Sequence, residues 1–361
     1  MVFAPNGDLF VSQTGANAIS VFRDTNKDGL PDERHTFVQG PPPRGRGGAP
    51  RGAGGPPPAS TGQMVSPFGM AFRDGYLYVA NTDAVVRYKY TPGDLKAQGE
   101  PEKLLDLPGG GNHFTRNIVF SADGRKMYVA VGSADNINET GGNDVRAAIH
   151  EYDPDGKGFR LFATGIRNPV GLTLQPGTNT VWTAVNERDG LGDDLVPDYA
   201  TSVKDGGFYG WPYSYIGNHV DTRVANQKPD LVAKAIVPDV LIPAHSAALG
   251  LTFYTGTQFP QRYRNGLFVA LHGSWNRSAT EGVKVIFVPF ANNRPSGPIE
   301  DFVTGFVVNP TANSKWGRPV GVTVTPDGSL LVSDDAAVPP DPGGRIYRIR
   351  ATNAGGARRG N

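Results

Sequence analysis

The chain has 361 residues, with 35 Lys and Arg against 34 Asp and Glu, a formal net charge of +1 and no cysteine. A balance so close to neutral gives no electrostatic footprint for nucleic acid or for an anionic membrane surface. The absence of cysteine excludes disulfides, thiolate chemistry, Cys-ligated zinc and a CxxCH haem attachment within this chain.

Met1 opens directly onto a strand, MVFAPNGDLFVSQTG, without a charged and apolar leader, so the start reads as a trimmed one. No apolar run approaches the roughly 20 residues needed for a membrane span. The opening segment is the first of six copies of one phrase: an apolar strand, a tight Pro/Asp/Asn/Gly turn, and a second apolar strand that often ends in a small residue. The others begin at Pro67 (PFGMAFRDGYLYVANTD), Arg116 (RNIVFSADGRKMYVAVGS), Pro169 (PVGLTLQPGTNTVWTAVN), Leu249 (LGLTFYTGTQFPQRYRNGLFVALHGS) and Pro319 (PVGVTVTPDGSLLVSDD). A hairpin alone cannot bury both of its faces, so copies at this rough period stack around a ring. Six copies of about 60 residues each predict a single all-β domain over 1–349, a six-bladed β-propeller with long connecting loops.

Along the chain, the first chemically specific stretch is DTNKDGLPDE. Oxygen donors at Asp24, Asn26 and Asp28, a turn-permitting Gly29, the Leu30 carbonyl and Asp32 follow the early positions of a calcium loop, but the twelfth position is His35 in place of the usual Glu. The two readings are a structural calcium and a solvated acidic hairpin loop. Residues 39–63 hold PPPRGRGGAPRGAGGPPPAST, which offers almost nothing to a core and is expected to form a mobile surface insertion. Its Arg44, Arg46 and Arg51 lack interleaved aromatics, which speaks against an RNA-binding role. The tail over 350–361 is expected to be disordered.

The remaining motifs lie just outside the repeat strands. NHFTRN places His113 and Arg116 before one strand, and GIRNPVG places Arg167 and Asn168 before the equivalent strand of the next repeat. VNERDGLGDD follows that repeat's hairpin, HGSWNR brings His272, Trp275, Asn276 and Arg277, and WGRPVG brings Arg318. Equivalent positions in successive blades converge on one end of a propeller channel, so these residues are expected around one cavity. Guanidinium forks and an indole face suit a planar, polyanionic ligand. On spacing alone His113 reads equally as a turn residue, and His272 and His245 as satisfied structural histidines. Asp189, Asp193 and Asp194 read either as metal ligands or as caps of their own loop. FYGWPYSY, from Phe208, reads as packing between blades, with Tyr213 or Tyr215 near a substrate cleft.

Taken together, NHFTRN, GIRNPVG, VNERDGLGDDLVPDY, GGFYGWPYSYIG, FVALHGSWNRS and WGRPVGV resemble the soluble quinoprotein dehydrogenases that use pyrroloquinoline quinone, in their glucose/sorbosone dehydrogenase branch. The resemblance runs from Met1 to about Ile349 and implies a six-bladed propeller that oxidises a sugar or sugar aldehyde. It further implies His113 as general base with Arg167 beside it. Arg116, Arg167, Asn168, His272, Trp275, Arg277 and Arg318 become cofactor contacts, with Gln63 a weaker one. A calcium ion would be held through the main-chain oxygens of Glu187 and Arg188. It also implies a separate electron acceptor and a periplasmic or secreted setting. Two other classes stay open: a calcium-dependent lactonase-like hydrolase, which needs several inward carboxylates, and a non-catalytic binding propeller.

Overall fold

A computed structural model describes residues 1–42, 60, 62–137, 145–335 and 344–352. Residues 43–59 and 61 of the Pro/Gly/Arg insertion, and the tail from 353, lie outside the described residues.

Six antiparallel sheets follow one another in chain order, and each is a blade. Blade 1 contains Val2–Phe3, Leu9–Gln13, Ala18–Arg23 and Glu33–Gln39; blade 2 contains Gly69–Arg73, Tyr76–Ala80, Ala84–Lys89 and Glu102–Asp106. Blade 3 is Arg116–Phe120, Met127–Val131, Ala148–Tyr152 and Arg160–Thr164, with Gly207–Phe208 added in parallel to its outer strand. Blade 4 is Asn168–Leu174, Val181–Asn186, Asp198–Ser202 and Val240–Ile242; blade 5 is Ala248–Phe253, Leu267–Leu271, Lys284–Val288 and Glu300–Val303. Blade 6 has three strands among the described residues, Pro319–Val324, Leu330–Asp334 and Arg345–Ile349. The six-bladed β-propeller expected from the repeats is the fold.

The second strands of blades 2, 3 and 5 are covered on both faces, which explains why they read as unbroken apolar runs. In Tyr76–Ala80, Leu77 and Val79 pack toward blade 1 while Tyr78 and Ala80 pack toward blade 3. Val129 and Val131 likewise face blade 2, and Tyr128 and Ala130 face blade 4. Five buried apolar clusters fill the five seams from blade 1–2 to blade 5–6.

Inner strands pass close to their neighbours, and side chains of the first and second strands tie the blades around the ring. Ser12 Oγ donates to Phe68 O at 2.7 Å, Asn117 Nδ2 to Val170 O at 3.0 Å, and Asn186 Nδ2 to Ala248 O at 2.5 Å. The seam between blades 6 and 1 is closed differently: Arg348 donates to Gly29 O, across from Asp327 Oδ2 at 2.6 Å and Ser329 Oγ at 3.1 Å.

Candidate active site

Strand register decides which loops share an end. Arg116 lies opposite Val131, Asn168 opposite Asn186, Ala248 opposite Leu271 and Pro319 opposite Asp334. Entry to each inner strand and exit from each second strand therefore meet at one mouth. His113, Arg116, Arg167, Asn168, Glu187, Arg188, His272, Trp275, Arg277 and Arg318 all sit on those entry and exit loops.

At blade 3, His113 Nδ1 lies 2.9 Å from Ser133 O and 3.0 Å from Ser133 Oγ. The Ser133 hydroxyl donates its own proton to Asp135 O at 2.8 Å. Both partners of Nδ1 are thus acceptors, which assigns the ring proton to Nδ1 and leaves Nε2 as the basic nitrogen. Among the described residues Nε2 has no hydrogen-bond partner. Burial, reinforced by the positive field of Arg167, pulls the imidazole down to about 3.

The loop carrying His113 is braced from below. Arg116 is fully buried and donates to the carbonyls of His113 (2.9 Å), Thr115 (2.8 Å) and Pro108 (2.6 Å). Arg146 donates to Gly132 O at 2.9 Å, to the carbonyls of Pro108, Gly109 and Gly110, and to His113 O at 3.1 Å. Arg116, expected as a cofactor contact, therefore holds the loop with its two terminal nitrogens and does not offer them to the opening. Arg146 escaped the sequence reading because a buried arginine whose described partners are main-chain carbonyls carries no motif.

At blade 4, Arg167 donates to Asn136 O (2.8 Å), Asn186 O (3.1 Å) and Asp189 Oδ2 (3.3 Å), and lies over the buried Trp211 ring, 5.6 Å from its centroid. Asn168 leaves Oδ1 buried and, among the described residues, without a hydrogen-bond partner. Glu187 and Arg188 turn their side chains inward: Arg188 Nε pairs with Glu187 Oε2 at 2.9 Å and its Nη1 with Asp221 Oδ2 at 3.0 Å. Asp198 accepts from the main-chain N–H of Glu187 at 2.8 Å and of Ala247 at 2.6 Å, tying this loop to the entry of blade 5.

Asp189 is the junction of the mouth. Burial pushes its carboxyl up, but His245 and Arg167 outweigh burial and hold it below the usual carboxylate range. Its Oδ1 accepts from Asn276 Nδ2 at 2.9 Å and lies 3.5 Å from His245 Nδ1, whose Nε2 faces Gly192 O at 2.9 Å. At blade 5, Arg277 donates to Asp193 O and, at 3.1 Å, to Asp194 Oδ1, while its buried Nε has no partner. Asp193 also accepts from Ser278 N at 3.2 Å. Asp189 and the Asp193–Asp194 pair thus pin arginines and loops. Trp275 next to them is 68% exposed. At blade 6, Arg318 donates to His272 O and Gly273 O, each at 3.1 Å, and His272 Nε2 meets Asp335 Oδ1 at 2.8 Å.

The DTNKDGLPDE loop follows Ala18–Arg23 and sits at the opposite end from the mouth. Its oxygens serve its own backbone: Asp24 Oδ2 accepts from Gly29 N at 2.6 Å, Asn26 Oδ1 from Asp28 N at 2.9 Å, Asp28 Oδ1 from Leu30 N at 2.7 Å, and Asp32 Oδ1 from Thr25 N at 3.0 Å. Among the described residues no three His, Asp or Glu side chains converge as metal ligands. Asp24, Asn26, Asp28, Leu30 and Asp32 thus form a self-capped loop in which Asp24 Oδ1 is buried without a partner among the described residues, and calcium at this loop stays a proposal. Of the aromatic segment, Trp211 lies between Arg167 and Arg188, and Tyr215 stacks on His219 with centroids 5.8 Å apart.

Fold and loops together define a six-bladed propeller that carries a histidine, an asparagine and several arginines on the loops of one end. Residues 76–276 match the Glucose / Sorbosone dehydrogenase family, and residues 217–346 match a family described as TrAA12-like. The chain belongs to the glucose/sorbosone dehydrogenase family. An uncharacterized protein of Borreliella burgdorferi is 30% identical over 298 residues, 78% of this chain and 75% of that one. A pyrroloquinoline quinone-dependent pyranose dehydrogenase of Coprinopsis cinerea is 27% identical over 321 residues, which is 72% of this chain but 43% of that protein. The holo pyrroloquinoline quinone domain of pyranose dehydrogenase from the same fungus superposes with a TM-score of 0.75 at 21% identity, covering 97% of this chain and 91% of that one. The calcium structure of a Trichoderma reesei carbohydrate-active enzyme of family AA12 superposes with a TM-score of 0.76 at 19% identity, over 96% and 91% of the two chains.

Proposed function

We propose that this protein oxidises a sugar or sugar aldehyde of the aldose or sorbosone type, with pyrroloquinoline quinone as hydride acceptor and calcium beside it. The observation that carries the reading is His113: a neutral imidazole at the channel mouth with Nε2 unengaged and Arg167 close enough to act on it electrostatically.

The mouth fits the implied cofactor. A buried acceptor at Asn168 Oδ1 and a buried donor at Arg277 Nε, both without partners, complement a flat molecule that carries carboxylates and ring N–H groups. Asn168, Arg277 and Arg318 would hold it, with His272 and Trp275 alongside. For calcium, the Glu187 and Arg188 side chains are taken up inside the protein, and among the described residues no N–H donates to either main-chain oxygen. Those two oxygens would carry the ion. When bound, the quinone accepts the hydride and calcium acts on it as a Lewis acid.

The chain's own part is proton transfer and charge. His113 Nε2 takes the hydroxyl proton as the neighbouring C–H bond gives up its hydride, and the Nδ1–H bond to Ser133 holds the ring as it becomes cationic. Arg167, fixed by Asn136, Asn186 and Asp189, supplies preorganised positive charge toward the forming oxyanion. The family resemblance supports a separate electron carrier and a periplasmic or extracellular setting.

The test is reconstitution of the apoprotein with pyrroloquinoline quinone and calcium, followed by dye reduction with a panel of aldoses. Cofactor binding with sugar-dependent dye reduction supports the assignment. Failure to bind the quinone defeats it, and lactone hydrolysis without dye reduction would move the protein to the lactonase class.

A further inference from the structure

The two small residues that end the third repeat phrase, Gly132 and Ser133, lie directly against His113. A Cβ built on Gly132 would sit 2.4 Å from Asn168 Oδ1 and 2.7 Å from His113 Cβ. The glycine is not in a left-handed conformation, so the demand at this position is space. Ser133 is completely buried, and its N–H donates to Arg167 O at 2.7 Å. Its carbonyl is shared between His113 Nδ1 and Arg146, whose Nη2 approaches it at 3.3 Å. A shared carbonyl is a weaker acceptor for the imidazole, so the hydroxyl, turned by its bond to Asp135 O, supplies a second acceptor that no other side chain provides.

We infer that the Gly132–Ser133 corner positions His113: the glycine leaves the room in which His113 and Asn168 meet, and the serine hydroxyl fixes the ring proton on Nδ1 so that Nε2 is the nitrogen free to accept. The catalytic consequence rests on the dehydrogenase assignment; the tautomer does not. Neither residue is catalytic; both act through His113.

The first arm is an NMR measurement of ring-nitrogen shifts in the apoprotein labelled with 15N-histidine. Wild type is expected in the Nδ1–H tautomer, Ser133→Ala in a mixture of tautomers, and Ser133→Thr restored. In the reconstituted enzyme Ser133→Ala is expected to lower kcat about tenfold with KM for sugar unchanged, the loss of one hydrogen bond, and Ser133→Thr to recover it. Gly132→Ala is expected to keep the tautomer and lose kcat by a larger factor. An Nε2–H tautomer in wild type, or a Ser133→Ala protein with wild-type tautomer and kcat, overturns the role of the serine; an unchanged kcat in Gly132→Ala overturns that of the glycine. If the alanine variants do not fold, the wild-type and Ser133→Thr spectra decide the tautomer. If no dehydrogenase activity is found at all, the apoprotein spectra still decide it, so the two failures are separable.

Discussion

His113 shows how a residue's surroundings set its chemistry. An exposed imidazole changes charge near neutrality, but here burial and the Arg167 field favour the neutral ring down to about 3. A base must be deprotonated to work, so its competent fraction is complete above that value and is lost only in strong acid. In an NMR titration of the free protein His113 is expected to show no inflection between pH 5 and 8; a midpoint near 6.5 would contradict the buried, tautomer-locked site. Arg167→Lys removes a fork that spans Asn136, Asn186 and Asp189, and is expected to cost roughly 10²–10³-fold in kcat of the reconstituted enzyme. Asp198 runs the other way in sign. Burial raises its carboxyl from 3.8 to about 7, against the two main-chain N–H groups that favour its charge. The unfolded chain therefore releases this proton at lower pH than the folded one, and stability is lost as pH rises from about 4 through about 7. Thermal melts of Asp198→Asn against wild type should show the difference between the two shifting with pH across that window; a pH-independent difference would count against it.

Among the elements, the inner strands bear the tightest constraint. The repeated glycine has a physical reason in the Pro-x-Gly phrases at Gly69 and Gly171 and in the equivalent Ala-Leu-Gly at Gly250: a Cβ at these positions would meet the neighbouring blade's inner strand at Asn117, at the Leu249 carbonyl and at the Val320 carbonyl, within 2.2–2.8 Å. Gly171→Ala is expected to destabilise by about 1–3 kcal/mol, read from a denaturant midpoint, because the blade cannot move off its neighbour without opening a packed seam. The asparagines and serines that cross those seams were readable only as turn-flanking polar residues. Their partners are carbonyls more than fifty positions away in the chain.

For the whole molecule, the seams are unequal. Among the described residues five carry buried apolar clusters, and the sixth is bridged by Arg348, which reaches from blade 6 to the Gly29 carbonyl of blade 1 while anchored on Asp327. Arg348→Ala is expected to lower the melting temperature and to raise amide exchange first in blades 1 and 6, with blades 3 and 4 protected as before. Uniform loss of protection would show that the ring opens all at once. The clamp lands on the DTNKDGLPDE loop, whose oxygens cap its own amides beside the closing seam.

The sequence by itself determined the ring. Apolar runs buried on both faces and separated by Gly-rich turns have one stable arrangement, and their number set the blades; the polar motifs at equivalent points of the repeat then had to share an end. What those polar residues do at that end was decided by tertiary structure alone. Arg116 and Arg167 sit in comparable motifs, yet Arg116 is enclosed by the carbonyls of its own loop and Arg167 is strung between two blades beside Asp189. The roles of Ser133 and Arg146 carried no signal, because hydrogen bonds that reach main-chain carbonyls depend on where the backbone passes and not on which residues are near in the chain.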